Sequence, residues 1–189
     1  ILLHKTLFTA KEAAFGFLIG ALVGFGLGVV LVHSRQLQRG FLPYIVGSQT
    51  IPILAIAPMV VIWVNPKLPP SLQGWGAVAV IAAYLSFFPV AINSLRGLQS
   101  ADPRALELMR SYAATEFQVL RKLRVPNMLP FLFTALKVGA TLAFIGAIVG
   151  EYFGGTSDVL SRVVLTAMSS GSYDLGWGVP VDKARAAEC

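Results

Sequence analysis

Residues 13–32 read AAFGFLIGALVGFGLGVVLV, a run of twenty positions without one charged side chain. At 1.5 Å per residue a helix of that length covers about 30 Å, the thickness of the hydrocarbon core of a bilayer. The run therefore predicts a membrane-spanning helix. Gly16, Gly20, Gly24 and Gly28 recur at every fourth position and fall along one side of it. Small residues at that spacing let a second helix approach closely in lipid, where van der Waals contact replaces the hydrophobic drive. The pattern reads as a packing face rather than a specific dimer motif.

Two more stretches, 40–66 and 68–95, are free of charge, and 131–150 carries only Lys137. Spans are predicted at about 13–32, 43–64, 76–95 and 131–150, giving an all-α integral membrane protein built as a polytopic helical bundle. Composition agrees. The 189 residues are 56% hydrophobic and 13% charged, with a mean hydropathy of +0.71. Soluble domains carry about 25% charged residues, so a water-facing surface cannot be built around this interior. Disorder is excluded as well, because it needs low hydrophobicity and high charge.

The net charge of +6 does not signal nucleic acid. Most basic residues lie in two links between apolar runs, and no basic stripe with interleaved aromatics is present. The single cysteine, Cys189, rules out an intrachain disulfide framework and a Cys-rich metal site. His4 and His33 are isolated, so neither a zinc site nor a histidine-dependent acid–base pair is supported. No G-x-x-x-x-G-K-[ST] loop is present to cradle phosphates. The sequence therefore predicts no catalytic residue, no metal and no cofactor. The opening ILLHKTLFTAKEAAFG has no cleavage-site pattern, and the apolar run behind it is too long for a signal peptide.

Within the second span, Pro52 and Pro58 each lack an N–H and crowd the carbonyl one turn back. They are expected to bend or interrupt the helix at membrane depth. Broken helices survive there only when buried in protein or lining a watery cavity. Pro52 and Pro58 are therefore the candidate pathway-lining residues, with a merely kinked packing helix as the competing reading. Lys137 is expected to snorkel to the interface, with a substrate contact as the competing reading, Glu151 to be an interfacial charge, with a gate as the competing reading, and Ser86 and Asn93 to hydrogen-bond between helices. No Asp or Glu falls within any of the four predicted spans.

Charge sets the orientation. The 96–130 link holds Arg96, Arg104, Arg110, Arg121, Lys122 and Arg124, the 33–42 link holds Arg35 and Arg39, and the 65–75 link holds only Lys67. The first two links are thus expected in the cytoplasm and the third outside. Lys5 and Lys11 would then lie outside, against the rule.

The 96–130 link contains SADPRALELMRSYAATEFQVLRKLRVPNMLP at 100–130. Asp102-Pro103 reads as a helix start, a carboxylate cap with proline at the first helical position. A first amphipathic helix follows, then a second over about 115–124 with Phe117, Leu120 and Leu123 on one side. Pro126 and Pro130 are expected to stop the second helix. Both helices are too charged for the membrane core, and their apolar faces need cover, from the bundle or from a separate soluble protein.

This stretch resembles the EAA loop of binding-protein-dependent ABC importer permeases, written E-A-A, three residues, G, nine residues, I-x-L-P. Glu107 stands at the Glu, Ala113 at the Gly, and Leu123-Arg124-Val125-Pro126 at I-x-L-P. Leu108-Met109 replace the two alanines, and Ala113 puts a residue that disfavours φ > 0 where the family has glycine. IPILAIAPMVVIWV (51–64) and FFPVAINSLRGLQSADPRALEL (87–108) are similar to the nitrate/sulfonate/taurine-type subfamily, whose relatives include riboflavin and thiamine-precursor permeases.

The resemblance implies a permease of an ATP-driven importer in a bacterial-type plasma membrane. It passes a small solute delivered by an extracytoplasmic binding protein. Its implied partners are a second permease subunit, as a homodimer, and a separate ATP-binding subunit that performs the hydrolysis. Glu107, Ala113, Leu123 and Pro126 would be the ATPase-coupling residues. Relatives have six spans, so by this resemblance the first and last are expected to be lacking here. Residues 1–178 are expected to form one permease domain and 179–189 a polar tail, non-native or truncated. An ion-coupled secondary transporter and a membrane scaffold without transport remain the alternatives.

Overall fold

A computed structural model describes residues 2–154 and 160–169, all helix and connecting turn. Its elements are α1 (Leu2–His33), α2 (Arg35–Ser48), α3 (Ile53–Val64), α4 (Trp75–Gln99), α5 (Pro103–Ser111), α6 (Glu116–Val119), α7 (Val125–Gly154) and α8 (Leu160–Ser169). A 3₁₀ turn at Asn65–Lys67 follows α3, and a π turn at Leu120–Arg124 joins α6 to α7. The expectations for residues 155–159, 170–178 and the 179–189 tail lie outside the described residues.

Three helices, α1, α4 and α7, form the body of the bundle, with α4 in the middle. The glycines of α1 explain the close approach of α1 to α4. A Cβ at Gly24 would sit 2.6 Å from the Phe87 carbonyl oxygen, and one at Gly28 2.8 Å from Ser94 Cβ. At Gly16 and Gly20 it would overlap the Ala79 carbonyl oxygen and Ser86 Oγ. Only glycine allows backbone to meet backbone at these four positions. Gly26, on the other side of α1, faces open space. One buried cluster joins Ala13, Val78, Ala82, Ala143 and Ala147 across α1, α4 and α7. A second joins Leu31, Ile45 and Leu95, tying α2 to the other end of the bundle.

The helices differ from the predicted spans in several ways. α1 begins at Leu2 and so includes Lys5, Lys11 and Glu12, which the charge-free window left out. In place of one helix over 43–64, α2 and α3 meet at a bend of 97°. The break falls at Pro52, which sits just ahead of α3 with ψ 123°. Proline disfavours the helical region at the residue before it, and here two hydroxyls also occupy carbonyls of the last turn: Ser48 Oγ donates to the Ile45 oxygen (2.7 Å) and Thr50 Oγ1 to the Gly47 oxygen (2.8 Å). Pro58, by contrast, lies inside α3 without ending it. The Tyr84 hydroxyl of α4 donates to the Ser48 carbonyl and pins the break to the bundle.

Pro126 and Pro130 do not stop the second helix of the 96–130 link either. The chain is helical without interruption over Glu116–Gly154. The π turn is the physical reason: Val125 N–H bonds the Leu120 oxygen, five residues back. A wider turn directly ahead of Pro126 gives its ring room where an α-turn would force a clash. Ser86 and Asn93 do not bridge helices. Ser86 Oγ donates to Ala83 O (3.1 Å) and Asn93 Nδ2 to Pro89 O (2.8 Å), both within α4.

Candidate functional site

The elbow formed by α5, α6 and the π turn is assembled by local chemistry. Asp102 caps α5, its carboxylate accepting from Arg104 N–H (2.9 Å), with Pro103 at the first helical position. α5 ends with Ala113 N–H bonded to the Arg110 oxygen (2.9 Å) and Ala114 N–H to the Met109 oxygen (3.0 Å). This pair of bonds is the Schellman arrangement, which requires a left-handed residue at its turn. Ala113 supplies it at φ 51°, the one non-glycine among the described residues at positive φ. The turn is thus made as sharply as glycine would make it, at a strain of about 1–2 kcal/mol. Thr115 and Gln118 then form a reciprocal capping box that starts α6.

The predicted coupling residues are spread along this elbow and its exit into α7. Glu107 is exposed on α5, Ala113 is exposed at the turn, Leu123 is half-buried in the π turn and Pro126 is exposed at the start of α7. No residue of α5 is buried. Leu108, Tyr112 and Phe117 are 57%, 77% and 67% exposed, so the elbow presents large apolar side chains uncovered by the chain. Below it Val119 and Met128 are buried, and Gly97 of α4 lets Met128 pack closely. The elbow is therefore fastened to the bundle through its second half while α5 projects. Pro52 and Pro58 belong to a different place: Pro52 is exposed at the break and Pro58 half-buried in α3, which packs on α7 and α4.

Two side chains were misread from sequence. Glu151, expected at the interface, is fully buried in α7, and Glu12, passed over because it precedes the charge-free window by one position, is 2% exposed in α1. The available signal was an acid at the edge of each of two apolar runs that pack together.

Taken together, long apolar helices, a glycine-lined helix contact, a broken helix and a projecting amphipathic elbow describe a multi-pass helical membrane protein. Residues 16–181 match the family model described as binding-protein-dependent transport system inner membrane component, and the chain belongs to that family. It is 34% identical over 160 residues to the formylaminopyrimidine transport permease protein ThiX of Halalkalibacterium halodurans, covering 84% of this chain and 61% of that relative. It is 31% identical over 175 residues to a probable ABC transporter permease protein of Haemophilus influenzae, covering 93% of this chain and 68% of the relative. Against the riboflavin transport system permease protein RibX of Chloroflexus aurantiacus it is 32% identical over 155 residues, covering 82% and 55%. The chain thus spans somewhat over half the length of these relatives. It is an inner-membrane, multi-pass protein.

Proposed function

We propose that this chain is the pathway-forming permease subunit of an ATP-driven importer, and that the α5–α6 elbow is where a separate ATPase subunit engages it. The observation that carries this reading is the uncovered elbow: α5 has no buried residue, yet displays Leu108, Tyr112 and nearby Phe117. Leaving such apolar surface in water is costly unless a partner covers it. Arg104, Arg110, Arg121 and Lys122 are exposed on it, and by the charge rule this basic excess supports a cytoplasmic position. Glu107 is the charge that would pair with the ATPase, Ala113 sets the angle between the two helices, and Leu123 and Pro126 anchor the elbow to α7.

The substrate is a small solute handed over by an extracytoplasmic binding protein, and two permease copies enclose the pathway. The printed substrates of relatives include a formylaminopyrimidine, riboflavin and aliphatic sulfonates. The broken α2–α3 segment, with Pro52 and Pro58, lines the route. The test is co-purification of the permease with its ATPase, with and without Glu107→Lys. Wild type retains the ATPase and the variant loses it while remaining in the membrane. Equal recovery of the ATPase with both proteins would remove Glu107 from the contact, and no recovery with either would remove the importer reading. The two competing classes, ion-coupled transport and a passive scaffold, both predict no ATPase.

A further inference from the structure

Glu12 of α1 and Glu151 of α7 are neighbours, at the end of the bundle away from the elbow. Packing explains the meeting. Ala13 and Ala147 belong to one buried cluster, and Glu151 lies one turn beyond Ala147 on the same helix face. Both carboxyl groups are enclosed, with Glu12 2% and Glu151 0% exposed. Ser161 of α8 closes a third side. Its backbone N–H donates to Glu151 Oε2 (3.3 Å), while its hydroxyl, on a residue 4% exposed, has no partner. Glu12 Oε1, Glu12 Oε2 and Glu151 Oε1 have none either.

An ionised carboxylate only accepts hydrogen bonds, so two of them in contact cannot bond each other; one must carry a proton to donate. No cation among the described residues takes that role. On α1, Lys11 and His4 are exposed, and Lys5 has a partner of its own. Tyr152 of α7 and Arg162 of α8 are exposed, and the only charge on α4 is Arg96 near its opposite end. A metal ion fits less well. Hard divalent cations take about six or more oxygen ligands, and no group of three or more His, Cys, Asp or Glu is gathered among the described residues.

We propose that Glu12, Glu151 and Ser161 form a proton-holding clasp between α1, α7 and α8. One proton is shared by the two carboxyl groups, and the Ser161 hydroxyl turns to donate to a remaining carboxylate oxygen. This inference does not depend on the elbow or on any ATPase.

Infrared spectroscopy of the chain in lipid nanodiscs at neutral pH tests it. Wild type should show a protonated-carboxyl C=O band that shifts in D₂O, and both Glu12→Gln and Glu151→Gln should lose it. Glutamine has the shape of the protonated acid, so each single variant should keep a melting temperature close to wild type. Absence of the band in wild type, or its persistence in both variants, would overturn the proposal. So would a melting temperature that rises with added Na⁺, Mg²⁺ or Ca²⁺ in wild type but not in Glu12→Gln/Glu151→Gln, since that places a metal ion between the carboxylates.

Discussion

Replacing Gly24 by alanine is the sharpest probe of the α1–α4 contact. The new methyl would lie 2.6 Å from the Phe87 carbonyl oxygen and 3.0 Å from Ala91 N, both backbone atoms of α4. Ordinary contact begins at 3.4 Å, so the helices must part by 3.4 − 2.6, or 0.8 Å, along that direction. No side-chain rotation can relieve a clash with backbone. Overpacking of this kind costs about 1–3 kcal/mol. Gly26→Ala is the matched control, two positions along the same helix, where the methyl meets nothing within 4 Å. Alanine is favoured over glycine in a helix interior by about 1 kcal/mol, and that gain is common to both variants. The difference between them therefore isolates the steric cost. At roughly 2–4 °C per kcal/mol for a chain of this size, Gly24→Ala should melt about 2–12 °C below Gly26→Ala. Thermal unfolding of both proteins in the same detergent or nanodisc measures it. Equal melting temperatures would refute the claim that α1 and α4 touch backbone to backbone, and with it the role assigned to the four-residue glycine spacing.

Ala113→Gly should stabilise the elbow by about 1 kcal/mol, because glycine holds φ 51° without the steric penalty that alanine bears. Slower hydrogen exchange at the Ala114 amide, whose bond to Met109 closes the turn, is the expected readout; faster exchange would contradict it. Tyr84→Phe removes the hydroxyl that bonds the Ser48 carbonyl, at a cost of about 1 kcal/mol. Amides of 49–51 should then exchange faster while those in the middle of α4 are unchanged.

The long helices α1, α4 and α7 were legible because each contains a charge-free run long enough to span hydrocarbon, and the glycine face of α1 because its period matches the helix. The two-helix elbow was legible from Asp102-Pro103 and from the alternation of charge and apolar residues after it. Prolines were the main source of error. The sequence shows that Pro52, Pro58, Pro126 and Pro130 each lack a donor, but not how the turn before each one responds. Hydroxyls at Ser48 and Thr50 satisfy carbonyls and complete a break before Pro52, whereas a widened turn lets the helix run through Pro126. Ala113 was read correctly as a residue averse to positive φ, yet the bonds from 113 and 114 back to α5 hold it there. Glu12 and Glu151 escaped because a window rule sees one segment at a time, and burial of an acid is decided by the segment packed against it.

The unbroken helix from Glu116 to Gly154 has a mechanical consequence. Its 39 residues make a rod about 58 Å long at 1.5 Å per residue. With no hinge at Pro126, tilting it by roughly 5° about the elbow would carry the far tip through about 5 Å. The elbow would then act as the short arm of a lever whose long arm crosses the membrane, and a small push at one surface would arrive magnified at the other.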